Sequence, residues 1–275
     1  MADQPGGRPA MATQRHATIL EALARNGAVR VSELTQLLGV SSMTIRRDLD
    51  LLEHRGLLSK VHGGATAQTA GSTDEPGFEA KSTRERDQKR LIAQAAATIV
   101  QPNSAIALTA GTTTWALALE LVDVAPLTVV TNSRRVADVF HANPRADQTV
   151  ILTGGVRTPS DALVGPVAVA AIRSLHVDVV FMGVHGLDAQ AGATTPNVEE
   201  AETNRAFASS GRQLVVVADS TKWGVVALSS IVPLTDVDTW VVDRLPANAD
   251  LQLYAPDLYV LVPQERPHRS TDPAA

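Results

Sequence analysis

Two arginines and a run of hydroxyl side chains stand close together near the start of this chain. Ser41, Ser42, Thr44, Arg46 and Arg47 fall within one short stretch. A guanidinium pairs bidentately with a guanine edge or a phosphate, and short hydroxyls reach phosphates or base edges. Lys60 and His62 follow, just before Gly63-Gly64, where they can grip a flanking DNA backbone. Phosphate contacts set register, and only base contacts specify sequence. Taken alone, Arg46-Arg47 fits better a solvated helix face paired with Asp50 and Glu53, and the region a three-helix protein-interaction module.

A second group is spread over the rest of the chain. Ala110-Gly111-Thr112-Thr113-Thr114 follows a short apolar run and opens a helical pattern. Amides at a helix N-terminus, with the helix dipole, favour an anion, and the three threonine hydroxyls add donors. A plain helix cap fits the same residues. The loop lacks a Gly-Lys-Ser/Thr ending, and no G-x-G-x-x-G follows the strand, which counts against nucleoside triphosphates and dinucleotides. The only lysines are Lys60, Lys81, Lys89 and Lys222. Lys89 opens the first helix of this half and Lys222 follows a late strand. Each can bring positive charge to a phosphate, or lie solvated at the surface. Asn132, Gly154-Gly155, Gly183 to Gly186 and Asp219 to Lys222 fall where other strands are expected to end. His185 fits a ligand contact or a structural role.

Catalysis finds less support. Proton transfer between two sugar carbons needs a placed base. The stretch Gly183–Asp188 carries a single carboxylate, and Glu199-Glu200 read as a helix N-terminal pair. No catalytic residue, metal ligand or cofactor is assigned. The absence of cysteine excludes disulfides and thiolate metal sites.

Periodicity defines the elements that must position these groups. Ile19, Leu20 and Leu23 place a helix over residues 15–26, with Gly27 as its stop. Ser32 is expected to cap a second helix through Leu38. After the turn Gly39-Val40-Ser41, a third helix capped by Ser41 or Ser42 runs to about Arg55, with Gly56 ending it. Ile45, Leu49 and Leu52 form its buried stripe. Leu57–Val61 and His62-Gly63-Gly64 predict a β-wing. Beyond residue 77 the pattern changes to apolar strands alternating with helices. Strands are expected at 105–108, 127–131, 149–152, 177–182 and 213–218, with late ones at 239–242 and 259–262. Helices are expected at 84–100, 112–121, 134–141, 164–175 and 199–210. This alternation predicts a mainly parallel α/β sheet covered on both faces.

The 275 residues suit two domains. We expect a tail over residues 1–11, a DNA-binding domain over 12–67, and a linker over 68–77. An effector-binding α/β domain is expected over 78–262, and a second tail over 263–275. Hydrophobic residues make up 44% of the chain but aromatics only 3%, so the core must be aliphatic. The net charge of −5 argues against a general basic coat for nucleic acid. It is unevenly spread: residues 1–66 hold eight Lys/Arg against six Asp/Glu, +2, and the remainder 16 against 23, −7. A mildly basic module on an acidic body suits local DNA contact. No apolar run approaches ~18 residues, and the N-terminus lacks an apolar signal core, so a cytoplasmic protein away from membranes is expected.

The stretch Arg15–Ala65 resembles the winged helix-turn-helix of the DeoR family of transcription regulators. The matching residues are Arg15-His16, Val31-Ser32-Glu33-Leu34, Val40-Ser41, Thr44-Ile45-Arg46-Arg47-Asp48-Leu49 and His62-Gly63-Gly64-Ala65. Within it, Asp48 reads as a structural partner for an arginine or as a cap. Phe78 to Asp243 is similar to that family's effector domain. Its landmarks are Lys89, Ala110–Thr114, Thr131-Asn132, Gly154-Gly155, Gly165, Asp178, Gly183 and Ala218-Asp219-Ser220-Thr221-Lys222. The resemblance implies the fold of ribose-5-phosphate isomerases and CoA transferases. It makes Lys89, Gly111, Thr112, Thr113 and Thr114 phosphate contacts, and Asp219 and Lys222 contacts at the sugar end. Two departures stand out: the acid cluster of the isomerases is missing after Met182, and Val242-Asp243 replaces the family's frequent Thr-Asp.

These readings predict a sequence-specific transcription regulator, foremost a repressor of carbohydrate genes relieved by a phosphorylated sugar. Its partners are double-stranded operator DNA, the sugar phosphate, and further copies of the chain. Two alternatives stay open: a sugar-phosphate isomerase-like enzyme with an appended DNA module, and a DNA-binding scaffold with a non-functional pocket.

Overall fold

The computed structural model describes residues 12–26, 28–54, 57–61, 63–66, 73, 75, 77–247 and 249–263. Both expected tails (residue 263 apart), His62, the stops Gly27 and Gly56, and most of the linker lie outside the described residues. The chain divides into two compact units at residues 71 and 72.

The first unit contains α1 (Ala12–Asn26), β1 (Ala28–Arg30), α2 (Val31–Leu38), α3 (Ser42–His54), β2 (Ser59–Val61) and β3 (Gly64–Thr66). The three strands form an antiparallel sheet in the order β1-β3-β2. Ile19, Leu23, Leu34, Ile45, Leu49, Leu52, Leu58 and Ala65 form one buried core, so one face of each helix is spent on packing. Removing this apolar surface from water holds so small a unit together. Strand β1 is absent from the sequence expectation, because three residues are too few to show a period. Gly64 lets it form: a Cβ there would fall 2.1 Å from Val29 O. Ser32 does not cap α2 as expected. The cap position is Arg30, and Glu33 accepts the Arg30 N–H at 3.1 Å. Gly39, at φ 63°, ends α2 in the left-handed conformation that glycine tolerates best.

The second unit begins with α4 (Phe78–Ser82), α5 (Arg86–Ala97), β4 (Ser104–Leu108), α6 (Thr112–Glu120), β5 (Leu127–Thr131), α7 (Arg134–Ala142) and β6 (Gln148–Leu152). It continues with β7 (Val156–Arg157), β8 (Leu163–Val164), α8 (Pro166–Arg173), β9 (Val177–Met182), β10 (Gly186–Asp188), β11 (Gly192–Thr195), α9 (Val198–Ser210) and β12 (Gly211–Val217). The last elements are β13 (Ser229–Val232), β14 (Thr239–Val241), α10 (Leu251–Tyr254) and β15 (Tyr259–Leu261). The main sheet is parallel, in the order β15-β14-β12-β9-β4-β5-β6. Its inner strands are buried on both faces, while the edge strands β6 and β15 are partly exposed. Ile106, Val179, Phe181, Val215 and Val217 pack with α5, α6 and α7. Ala107, Val180, Met182, Leu214 and Val216 pack on the opposite side with α8 and α9.

Three features depart from the expected pattern. The helix expected over 84–100 starts at Arg86, because Glu85 takes a left-handed conformation (φ 48°) and separates it from α4. The start expected for α8 at Val164 is strand β8, and the helix begins at Pro166, a residue suited to a first turn. A small antiparallel sheet, β10-β11-β13, and the ribbon β7-β8 were not anticipated. Among the described residues no helix is long and apolar enough to cross a membrane.

The strand order carries a functional consequence. From β4 the chain winds outward through β5 and β6, then returns to place β9 on the other side of β4 and winds away through β12 and β14. Strands β4 and β9 therefore flank a switch in winding direction. In open parallel sheets such a point leaves a crevice at the carboxyl ends of the strands.

Candidate functional site

The first set of candidates is built on α3. Ser41 caps the helix, its Oγ accepting the Thr44 N–H at 3.2 Å and lying 3.0 Å from Thr44 Oγ1. This satisfies an amide at the N-terminus, the end that such helices direct toward base edges. Ile45 and Leu49 are buried, while Ser42, Met43, Arg46 and Arg47 are exposed. Among the described residues neither arginine has an ion-pair partner, so the pairing with Asp50 and Glu53 weighed above does not form. Those acids hold the wing instead. Asp50 pairs with the Lys60 ammonium, and Glu53 accepts the Lys60 N–H at 2.8 Å. Asp48 points inward and is 6% exposed. It takes a two-point contact from Arg15, at 2.9 and 3.1 Å, and one from His16 Nε2 at 2.9 Å. Burial works against its charge, but the bonds from Arg15 and His16 prevail and hold its carboxyl below the ordinary range.

The second set of candidates gathers around the ends of β4 and β9. Thr109 N–H donates to Phe181 O at 3.1 Å, and Gly183 N–H donates to Thr109 Oγ1 at 3.1 Å. These bonds lock the two strand ends side by side. A Cβ on Gly111 would lie 3.1 Å from Thr114 Oγ1 and 3.8 Å from the Gly183 Cα, so the two loops run side by side within van der Waals reach. Helix α6 starts here. Its first internal bond is Trp115 N–H to Gly111 O at 3.0 Å, which leaves the Thr112, Thr113 and Thr114 amides without a helical acceptor. The Thr114 hydroxyl donates to Gly111 O at 3.0 Å and so belongs to the cap. Among the described residues the Thr112 and Thr113 hydroxyls have no partner.

Asn132 takes a positioning role. Its Oδ1 accepts the Ala110 N–H at 2.8 Å and its Nδ2 donates to Leu163 O at 3.0 Å, tying the α6 loop to β8. Lys89 is 7% exposed. Its ammonium donates to Lys81 O at 2.9 Å and to Arg84 O. Burial lowers its pKa to about 8, against the attraction of Asp219 and aided by the repulsion of Lys222. Those opposing charges show that Lys89, Asp219 and Lys222 share one electrostatic neighbourhood. Asp219 caps the 3-10 turn Ser220–Lys222 through Thr221. Asp243 grips the same turn through the Ser220 N–H at 2.7 Å, so the departure at Val242-Asp243 leaves the anchor in place. Trp223 stacks on buried Trp240 with ring centroids 5.5 Å apart. Gly224 N–H reaches Leu187 O at 2.8 Å, bringing this turn alongside the loop after β9. Within that loop His185 N–H donates to Thr194 O at 3.1 Å. The Lys222 ammonium has no partner among the described residues.

Residues 15–70 match the family described as the DeoR-like helix-turn-helix domain, and residues 84–244 match the DeoR C terminal sensor domain. The chain belongs to the DeoR family. The regulator YgbI of Escherichia coli strain K12 is 40% identical, the alignment covering 90% of this chain and 97% of that protein. The regulator GolR of Listeria innocua is 37% identical over 84% of this chain and 90% of its own length. A protein of Escherichia coli O157:H7 named as a putative aga operon transcriptional repressor is 32% identical, covering 86% and 88%. Ribose 5-phosphate isomerase A from Neisseria gonorrhoeae aligns over 51% of this chain and 54% of its own, at 17% identity and a TM-score of 0.37. The protein is thus a DNA-binding transcription regulator with a sensor domain. Its relatives are named as regulators, and the reading as an isomerase-like enzyme is set aside on that ground.

Sequence reasoning passed over one polar cluster. Glu200 opens α9 as expected, its amide and that of Glu199 capped by Asn197 Oδ1. Its side chain, however, turns inward to the Thr158 and Thr195 hydroxyls at 2.7 and 3.3 Å. Glu75, Lys81 and Ser160 join the same cluster. Its members are scattered from residue 75 to 200, and no spacing rule links them. The Asn-x-x-Glu pattern at Asn197 was the one legible sign.

Proposed function

We propose that the rim around the β4 and β9 ends binds a phosphorylated sugar, and that this binding releases the regulator from operator DNA. The observation that carries this reading is the convergence at one sheet edge. The open amides of Thr112 to Thr114 follow β4 and the unpaired Lys222 follows β12, with β9 between the two strands, and the buried Lys89 ammonium feels the charges of Asp219 and Lys222. Amides and two cations suit a phosphate dianion. Thr112, Thr113 and Lys89 take the phosphate, while Gly111 and Gly183 keep the floor narrow. Lys222, Asp219 and His185 face the sugar, and Asn132 holds the loop that carries the threonines.

In the same reading residues 12–67 are the DNA-binding domain, 68–77 the linker and 78–262 the effector domain. Ser41, Ser42, Thr44, Arg46 and Arg47 meet the major groove, and Lys60 with His62 takes the flanking backbone. Effector and operator each favour a different state and so weaken one another. A coupling of about 1–3 kcal/mol gives about five- to 150-fold relief. One winged module makes few contacts, so two or more copies engage paired half-sites in the cytoplasm, where chromosomal DNA is reached. Repression of carbohydrate genes is the output we assign.

Thermal unfolding with a panel of phosphorylated sugars tests this. At least one sugar phosphate raises the unfolding temperature of the α/β unit, lowers affinity for operator duplex, and is recovered unchanged. Stabilisation by no member of the panel would favour a scaffold with a non-functional pocket. Turnover of ribose 5-phosphate would restore the enzymatic reading.

A further inference from the structure

The chain enters the α/β unit through residues bonded, step by step, to the proposed phosphate contact. Lys89 Nζ donates to Lys81 O at 2.9 Å. The Lys81 side chain extends elsewhere and donates to Ser160 Oγ at 2.9 Å. Ser160 Oγ donates in turn to Glu75 Oε1 at 3.0 Å. Asn197 Nδ2 donates to Glu75 Oε2 at 3.0 Å, and Asn197 Oδ1 caps α9. Glu75 lies nine residues beyond Thr66, where β3 of the DNA-binding unit ends.

A second connection runs through α4. Buried Phe78 meets the Trp115 ring edge-on, with centroids 6.0 Å apart and planes at 87°. Trp115 stands one turn into α6, directly after the threonines of the anion site. Arg135 lies over the Phe78 ring at 4.7 Å and binds Glu79 at 2.6 Å and Asp161 at 2.8 Å. The electrostatics favour a bound Glu75. Burial alone would raise its carboxyl, but Asn197, Ser160 and the Glu200 carboxyl, with Lys81 nearby, hold it below the ordinary value. Burial raises the Glu200 carboxyl, against Thr158 and Lys81, so the two neighbouring acids are shifted in opposite directions.

We propose that Glu75, Lys81 and α4 form a strap that transmits occupancy of the anion site to the chain leading to the DNA-binding unit. This rests on the reading of Lys89 as a phosphate contact. An ammonium has three donors, and Lys89 commits two of them to the Lys81 and Arg84 carbonyls. The third serves the anion. A phosphate dianion there keeps the buried lysine charged and strengthens both carbonyl bonds. The turn between α4 and α5 stiffens, and the Lys81 grip on Ser160 and Glu75 stiffens with it. Bound effector therefore anchors the strap, and the empty site loosens it.

Hydrogen exchange on the full chain, with and without inorganic phosphate, tests the strap. In the wild type, phosphate slows exchange at the start of α6 and also in the peptides that carry Glu75 and α4, by about fivefold or more. Lys81→Met keeps the carbonyl that Lys89 holds but removes the side-chain link. In it the α6 response persists and the Glu75 response is lost; Lys81→Arg restores it. Glu75→Ala, with the same loss in α4, provides the test where Lys81→Met fails to fold. Protection of α6 without any response at Glu75 in the wild type overturns the strap alone. A Glu75 response that survives Lys81→Met does the same. No protection of α6 by phosphate overturns the reading of Lys89 and the strap with it.

Discussion

Arg15 and Asp48 join the first helix of the DNA-binding unit to its recognition helix. The guanidinium Nε lies 2.9 Å from one carboxylate oxygen and Nη2 3.1 Å from the other. This contact faces inward, behind the exposed Arg46 and Arg47. The Arg-Arg-Asp triplet therefore divides its labour: two residues face outward, and the third fixes the helix that presents them.

Asp48→Ala is expected to destabilise the DNA-binding unit by about 1.5–3 kcal/mol, the range for hydrogen bonds to charged groups. The loss would appear as an earlier first transition in thermal unfolding. The folded-state pKa of Asp48 is lowered, so its contribution is present above about pH 4, the ordinary carboxylate value, and is lost as pH falls through the lowered one. An Asp48→Ala variant whose acid unfolding matches the wild type would show that the pair contributes nothing.

Arg46→Ala combined with Arg47→Ala removes two exposed side chains that have no hydrogen-bond or ion-pair partner among the described residues. Unfolding temperature should stay the same while selection from a random duplex library recovers no consensus. Recovery of the wild-type consensus would take both arginines out of base recognition.

Lys60→Ala should weaken binding about equally across sequences and reduce the salt slope by about one. The wing lysine is already steered by Asp50 and by Glu53 at its backbone. A changed consensus instead of a changed slope would assign Lys60 to base readout.

Lys89 should make effector affinity fall as pH rises through about 8, where the lysine loses its charge. The phosphate is already a dianion in that range, its second pKa lying near 6. Lys89→Met should flatten this pH dependence, weaken the effector, and leave operator binding intact. Calorimetric titration of the stabilising sugar phosphate across this range checks all three. The same lowered value means that charged Lys89 opposes folding at neutral pH, and stability gains as pH rises above 8.

Gly186→Ala should displace the turn that carries Lys222. An added Cβ would lie 2.0 Å from Val225 O, closer than any side chain tolerates. A loss of about 1–3 kcal/mol is expected, with weaker effector binding. Wild-type stability in this variant would mean that the close approach of the two loops is not needed.

Much of the architecture was legible because its signals are local. Helix α3 announced itself through Ile45, Leu49 and Leu52 at helical spacing, and β9 and β12 through the apolar runs at 179–182 and 214–218. Strand β1 and the ribbon β7-β8 were missed because two or three residues show no period. Glu85 interrupted the expected long helix through a backbone conformation that its residue type does not announce. In the rim, Gly111 with the threonines was visible as a strand-to-helix turn. Asn132 was visible only as a strand end, and its bonds to Ala110 and Leu163 join loops far apart in sequence.

The sequence by itself determined the two-unit plan, the recognition helix, and the parallel sheet, since spacing, caps and glycine stops act over a few residues and need no distant partner. Tertiary structure alone decided which charges are free and which are committed. Arg46 and Arg47 stay open because Asp50 and Glu53 turn to Lys60, and Lys89 is buried because two backbone carbonyls replace its water. The winding order decided that Gly111 and Gly183, 72 positions apart, face one another across a single crevice. Charge pairing and strand order depend on contacts between remote segments, and those exist only once the chain has packed.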